Sequence, residues 1–238
     1  MLVKIAEFNI EIQNTGRNLM EMFEKYFSDS KNIDLTMHIT KAEAEYEKRF
    51  SDTFQFLGFF AVAGVQRKLA EWLPLNNAFV LHSAVFDVDG TGIALAAHSG
   101  TGKTTHMLLW QKLLGERLKI VNGDKPIVRF FDDKPNVPYA YGTPWNGKEH
   151  LGCNMRTPLR HIAFIERAES NSCESIAPAD AINLIFNQVY MPKDTAAVTK
   201  TIELINRLIS CCSLWKIKCN MEIEAAQIAY NKIMEDKK

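Results

Sequence analysis

Ala97-His98-Ser99-Gly100-Thr101-Gly102-Lys103-Thr104 lies between the apolar run Ile93-Ala94-Leu95-Ala96 and a stretch of helical spacing that starts at Thr104. Strand, glycine-rich turn, lysine, hydroxyl and helix is the order needed to hold a nucleotide's phosphates. Glycines at 100 and 102 let backbone N–H groups converge on anionic oxygens, Lys103 reaches the outer phosphates, and Thr104 offers its hydroxyl to Mg²⁺. Ser99, Gly100, Thr101, Gly102, Lys103, Thr104 and Thr105 are therefore the expected nucleotide-binding residues. Ala97 stands where the usual G-x-x-x-x-G-K-[ST] pattern has its first glycine.

Upstream, Phe79 to Val88 and Gly92 to Ala97 read as strands joined at Asp89-Gly90, a hairpin signal. With a two-residue turn at Asp89-Gly90, His82 lies across from Ala97; with an Asp89–Gly92 loop it faces Ser99. Either register delivers His82 to the mouth of the phosphate loop. Downstream, a helix from Thr104 to about Leu114 carries Met107, Trp110 and Leu114 on one face and stops at Gly115. The apolar strand Leu118 to Val121 leads into Asn122-Gly123-Asp124-Lys125. A strand from Ile127 to Phe131, a turn at 132–136 and a return at Tyr139–Tyr141 follow. Residues 142–154 then form a polar loop without period, the kind of segment that carries function. Leu159 to Ile165 is the next strand.

The N-terminal portion predicts a strand over 3–12, a short helix from Leu19 to Phe27, a strand from Ile33 to Ile39 and a helix from about Thr53 to Leu73, closed by Pro74. The C-terminal portion predicts helices at 178–190 and 194–210, a strand at 212–219 and a helix from 222. A hairpin directly before a phosphate loop is foreign to a purely parallel sheet, so the expected fold is α/β with a mixed sheet and flanking helices. With no repeat and no linker, the chain reads as one domain in three parts, 1–75, 76–170 and 171–238.

At 47% hydrophobic, 238 residues can bury a substantial core. Lysine plus arginine and aspartate plus glutamate are both 28, which gives no basic excess for nucleic acid. The longest uncharged apolar run, Phe54 to Val65, is about half the ~20 residues that span a bilayer. No signal-peptide pattern opens the chain. Cys153, Cys173, Cys211, Cys212 and Cys219 make no C-x-x-C pair, so zinc is not expected and the thiols read as reduced. A cytoplasmic protein without membrane or nucleic-acid contacts is the expectation.

Phosphoryl transfer also needs carboxylates for the divalent metal, a group to position or deprotonate the acceptor, and cations for the developing charge. Asp124, just past an apolar strand, reads either as a metal-facing carboxylate or as a turn-capping residue. Glu149 reads either as a second metal-facing carboxylate or as a solvated charge. His82 reads either as the group that handles the acceptor hydroxyl or as a hydrogen-bonded core histidine. Lys125, Lys148 and Arg156 are candidate cations, each with a solvated surface charge as the plainer reading. His98 is expected to point outward, and Trp145 to fill core.

The order His82, hairpin, S-G-T-G-K-T, N-G-D-K and E-H-L-G resembles the catalytic domain of HPr kinase/phosphorylase and the relatives that phosphorylate lasso-peptide precursors. More distantly it is similar to phosphoenolpyruvate carboxykinase. The resemblance covers about residues 78–166. It maps the family's strand histidine onto His82, with Ser83 in place of the following glycine. The loop lysine and hydroxyl map onto Lys103 and Thr104, and the metal-holding glutamate-x-x-glycine onto Glu149 and Gly152. Where the family carries two adjacent aspartates, this chain has Gly123-Asp124, and the basic glycine-containing C-terminal segment is missing.

What the resemblance implies is an ATP- and Mg²⁺-dependent serine kinase with the carboxykinase type of nucleotide fold, acting on a peptide or small protein and assembling as several copies. His82, Asp124 and Lys103 would be catalytic; Thr104, Asp124 and Glu149 would hold the metal. Two other readings stand beside it: a nucleotide-binding module without chemistry, which Ala97 and Gly123 favour, and a small-molecule phosphotransferase. H-R-D, D-F-G and a strand-borne G-x-G-x-x-G are absent, against a eukaryotic-type protein kinase and a dinucleotide enzyme.

Overall fold

Alternating apolar residues build the N-terminal layer of the chain. The computed structural model describes residues 1–13, 16–49 and 57–235. Strands β1 (Leu2–Ile5) and β2 (Phe8–Gln13) pair antiparallel, and β3 (Leu35–His38) lies parallel to β2. The single strand expected over 3–12 is thus a hairpin, turned at Ala6 and Glu7 with φ of 50° and 65°. Neither residue favours that left-handed backbone. Distant groups hold it: Arg129 Nη1 donates to Ala6 O at 2.6 Å, and the Glu7 carboxylate receives Arg156 and the Tyr141 hydroxyl.

Helices α1 (Arg17–Phe23), α2 (Lys41–Lys48) and α3 (Leu57–Trp72) complete this layer. The expected helix start at 53–56 lies outside the described residues. Helix α2 was not expected, although Thr40-x-x-Glu43 announces it. Glu43 N donates to Thr40 Oγ1 at 3.2 Å and Thr40 N to Glu43 Oε2 at 2.9 Å, which satisfies two helix-start donors.

The rest of the chain follows the order β4 (Ala78–Val80), β5 (Ser83–Val88), β6 (Thr91–Ala96), α4 (Lys103–Leu114), β7 (Leu118–Asn122), β8 (Ile127–Arg129), β9 (Tyr139–Tyr141), β10 (Arg156–Arg167). Then come β11 (Ser172–Ser175), α5 (Pro178–Phe186), α6 (Thr195–Cys211), β12 (Ser213–Cys219) and α7 (Ile223–Glu235). The main sheet runs β11-β12-β10-β6-β5-β7, with β10 parallel to β6 and β12, and β5 antiparallel to β6 and β7. The first residues of β10 pair instead with β9 and lead through β8 to β4. This is the mixed α/β architecture with flanking helices that the hairpin implied.

The β5–β6 turn settles the register. Val88 pairs with Thr91, and Asp89 and Gly90 take φ of 50° and 85°, the two-residue hairpin that suits strand twist. The expected strand over Phe79 to Val88 is broken at Leu81-His82, where the chain leaves β8 as neighbour and joins β6 and β7. His82 therefore sits at a break rather than within a strand.

Helices α4 and α7 cover one face of the sheet, where Phe86, Trp110, Trp215 and Ala229 interlock. Helices α5 and α6 cover the other through Ala181, Ile185, Leu204 and Leu208. The N-terminal layer shares its core with Ile127, Tyr141 and Trp145 of the second part of the chain. Among the described residues no helix is long and apolar enough to cross a membrane.

Candidate active site

The strand directions bring the candidate residues together. The C-terminal ends of β6, β7 and β10 and the N-terminal end of β5 lie at one edge of the sheet. The phosphate loop follows β6, Asp124 follows β7, Arg167 ends β10 and His82 precedes β5.

Gly100 and Gly102 have φ of 78° and 119°, and a Cβ added to either would meet nothing within 4 Å. Ala97, by contrast, keeps a negative-φ backbone and admits its methyl, so this loop has no need of the missing first glycine. Its carbonyl accepts from Lys103 Nζ at 2.8 Å. Ser99 and Gly100 are exposed, Thr104 is half-buried on the first turn of α4, and Thr105 and His98 face solvent.

Lys103 is largely buried, and its ammonium lies 3.2 Å from His82 Nε2. That same nitrogen lies 3.3 Å from Asp124 Oδ1, while Lys125 Nζ donates to Asp124 Oδ2 at 3.2 Å. Burial pushes the Lys103 pKa down, with Asp124 opposing the shift. Burial would raise the Asp124 carboxyl, but the His82 hydrogen bond and Lys125 overcome it and hold the group below the usual aspartate value. Asp124 is thus a carboxylate with both oxygens committed to donors.

Asn122 aims Asp124. Its buried Oδ1 accepts from the backbone N–H groups of Asp124 (2.9 Å) and Lys125 (2.7 Å), and its Nδ2 donates to Thr143 Oγ1 at 3.0 Å. Ser83 N donates to Asp124 O at 2.9 Å, which ties the turn to the start of β5. The sequence offers Asn122 only as the start of the N-G-D-K segment; in the structure its side chain shapes the turn.

The loop over 142–152 packs on this turn. A Cβ at Gly123 would lie 2.7 Å from Asn146 O and 3.1 Å from Leu151 O. A second aspartate is thus opposed sterically: any side chain at 123 would force the backbone at Asn146 to shift. Glu149 is exposed, on the rim. A methyl at Gly147 would touch both Asp124 Cβ (3.4 Å) and Glu149 Oε2 (3.8 Å), so the two carboxylates flank one glycine. Among the described residues no three His, Cys, Asp or Glu side chains converge on one point. Trp145 fills core as expected: it is buried against Phe23, and its Nε1 donates to Val62 O at 3.3 Å.

One candidate cation falls away from the site, and a second is exposed on its rim. Arg156 opens β10, at the far end of that strand, and is spent on Glu7 and Tyr141. Lys148 is exposed on the rim loop. A cation that the sequence did not single out takes their place: Arg167 Nε donates to Thr101 O at 3.0 Å, and its Nη2 donates to Gly100 O. Arg167 thereby engages two loop carbonyls, while the Thr101 N–H donates to His98 O at 3.2 Å and braces the turn from within. Gln188, just past α5, was also missed; its backbone carbonyl accepts from His82 N at 2.7 Å.

No family model and no curated protein sequence matches this chain. Among solved structures it is similar to the Hpr(Ser) kinase/phosphatase from Coxiella burnetii, with a TM-score of 0.37 and 9% identity. The overlap covers 67% of this chain and 99% of that one. A likeness so distant assigns no role to any residue of this chain.

Proposed function

We propose that this chain is an ATP- and Mg²⁺-dependent kinase that transfers the γ-phosphate to a serine-type hydroxyl of a peptide or small protein. One observation carries the reading: Lys103, His82 and Asp124, drawn from three separate segments, form a contiguous polar chain at the mouth of an open glycine loop. The residues fit the ligands this needs. Open space lies beside Gly100 and Gly102 and the loop opens a helix, which suits a polyphosphate. Mg²⁺ takes one or two carboxylates beside phosphate and water, so Asp124 and Thr104, with Glu149 on the rim, suffice without a protein-only cage.

In the transfer, the acceptor's O–H bond breaks and its proton passes to the Asp124 carboxylate. The oxygen forms a new bond to the γ-phosphorus as the bond to the departing nucleoside diphosphate breaks. Lys103 and the loop N–H groups carry the charge that builds on the phosphoryl oxygens.

The test is titration with Mg-ATP, followed by incubation with labelled ATP and a panel of serine-containing peptides. Lys103→Ala is expected to lose transfer by at least about a hundredfold. Asp124→Asn is expected to bind nucleotide and stop turnover; near-normal transfer by that variant sinks the assignment. The covered backbone at Gly123 favours a second reading, a nucleotide-binding module, whose signature is binding with no transfer to any acceptor.

A further inference from the structure

His82 Nε2 has two polar neighbours and can serve only one of them. Asp124 Oδ1 at 3.3 Å needs a donor, whereas Lys103 Nζ at 3.2 Å needs an acceptor. A neutral ring with its proton on Nε2 donates to Asp124; with its proton on Nδ1 it accepts from Lys103 instead. The choice falls to whatever faces Nδ1.

That neighbour is the buried side-chain amide of Gln188. With its nitrogen turned inward, the amide lies 3.1 Å from Ala97 O, 3.2 Å from His82 O and 3.2 Å from His82 Nδ1. Turned the other way, the buried side chain would set its oxygen against two carbonyl oxygens, a cost of about 1–3 kcal/mol for each polar group left unserved. The inward nitrogen makes Nδ1 an acceptor, and the ring's proton is left on Nε2.

We infer that Gln188 is a positioning residue that fixes His82 as its Nε2–H tautomer, so that the ring donates to Asp124 and leaves the Lys103 ammonium free for an anion. Gln188 grips His82 at both ends, because its backbone carbonyl takes the His82 N–H at 2.7 Å while its amide meets the ring. The arrangement also divides the labour between the two candidate proton acceptors. The ring nitrogen facing the site already bears a proton, so the acceptor's proton goes to Asp124. This consequence rests on the kinase reading; the tautomer itself does not.

Nitrogen-15 NMR of the full chain, free of nucleotide and at alkaline pH, reads the tautomer directly. The His82 signal is assigned by its loss in His82→Gln. The wild-type ring is expected to be protonated at Nε2. In Gln188→Glu, whose carboxylate accepts from Nδ1, the proton is expected to move to Nδ1, and Mg-ATP affinity to fall about tenfold as Lys103 turns to the ring. Gln188→Met, which offers neither donor nor acceptor, is expected to give both tautomers. A wild-type ring protonated at Nδ1 overturns the proposal, as does an unchanged ring in Gln188→Glu. If Gln188→Glu does not fold, Gln188→Met decides: a single wild-type tautomer there overturns it too. A wild-type chain that binds no nucleotide would end the kinase reading and leave the tautomer result standing.

Discussion

Gly100 and Gly102 line one wall of the site, and Gly123 and Gly142 the other, for opposite reasons. The first two adopt left-handed backbone in open space, where an added Cβ meets nothing within 4 Å. At Gly142 the same Cβ would fall 1.8 Å from Cys153 O, and at Gly123 2.7 Å from Asn146 O. One pair is glycine for the sake of conformation, the other because backbone lies against backbone. An open loop can mould itself to an anion; a wall closed by its own main chain keeps its carboxylates where they are.

Substitutions at these positions break or sharpen that contrast. Gly142→Ala carries the largest expected effect, a loss of about 4 kcal/mol or more in urea unfolding, since a backbone carbonyl must move. A Gly142→Ala chain with the parent's urea midpoint would mean that the second wall is not packed as described.

Acid stability comes next and concerns the open wall. His106, in the second turn of α4, is buried with neither ring nitrogen partnered, and burial pushes its pKa from 6.5 down to about 4. Protonation therefore favours the unfolded chain. Stability is fully present above pH 6.5 and is lost as pH falls toward 4, by on the order of 3 kcal/mol. Unfolding of His106→Leu followed across that window should show the slope flattened.

Gly123→Asp is expected to destabilise by about 2 kcal/mol, because it thrusts a carboxylate between two carbonyl oxygens. It should not raise transfer above the parent; a stable, faster Gly123→Asp would show that room for a second aspartate exists after all. Gly100→Ala is the mildest, costing about 1 kcal/mol of backbone strain with no collision. Calorimetric melting should register that small shift while nucleotide affinity falls more steeply than stability.

Legibility in the sequence followed the range of the interactions. S-G-T-G-K-T and Asp89-Gly90 were readable because local backbone chemistry decides them. The Ala6-Glu7 turn was not: nothing in those residues asks for left-handed backbone, and the hold comes from Arg129, Arg156 and Tyr141 across the molecule. The break at Leu81-His82 has the same character, since an apolar run gives no sign that its two halves join different neighbours. Arg167 and Gln188 reach the site only through the sheet order and the return of α5, which no local pattern encodes. Helix α2 was different. Its Thr40-x-x-Glu43 box is a local signal that marks the helix start in the sequence itself.

Trp145 sets the direction of approach. Its indole belongs to the apolar core of the N-terminal layer, and swinging the rim loop outward would wet that ring at a cost of about 4 kcal/mol. Entry by that route would take this amount out of a ligand's binding energy. The lip at residues 98–100 is exposed and asks for no such opening, so on the kinase reading an acceptor would come to the phosphate tail from the solvent side.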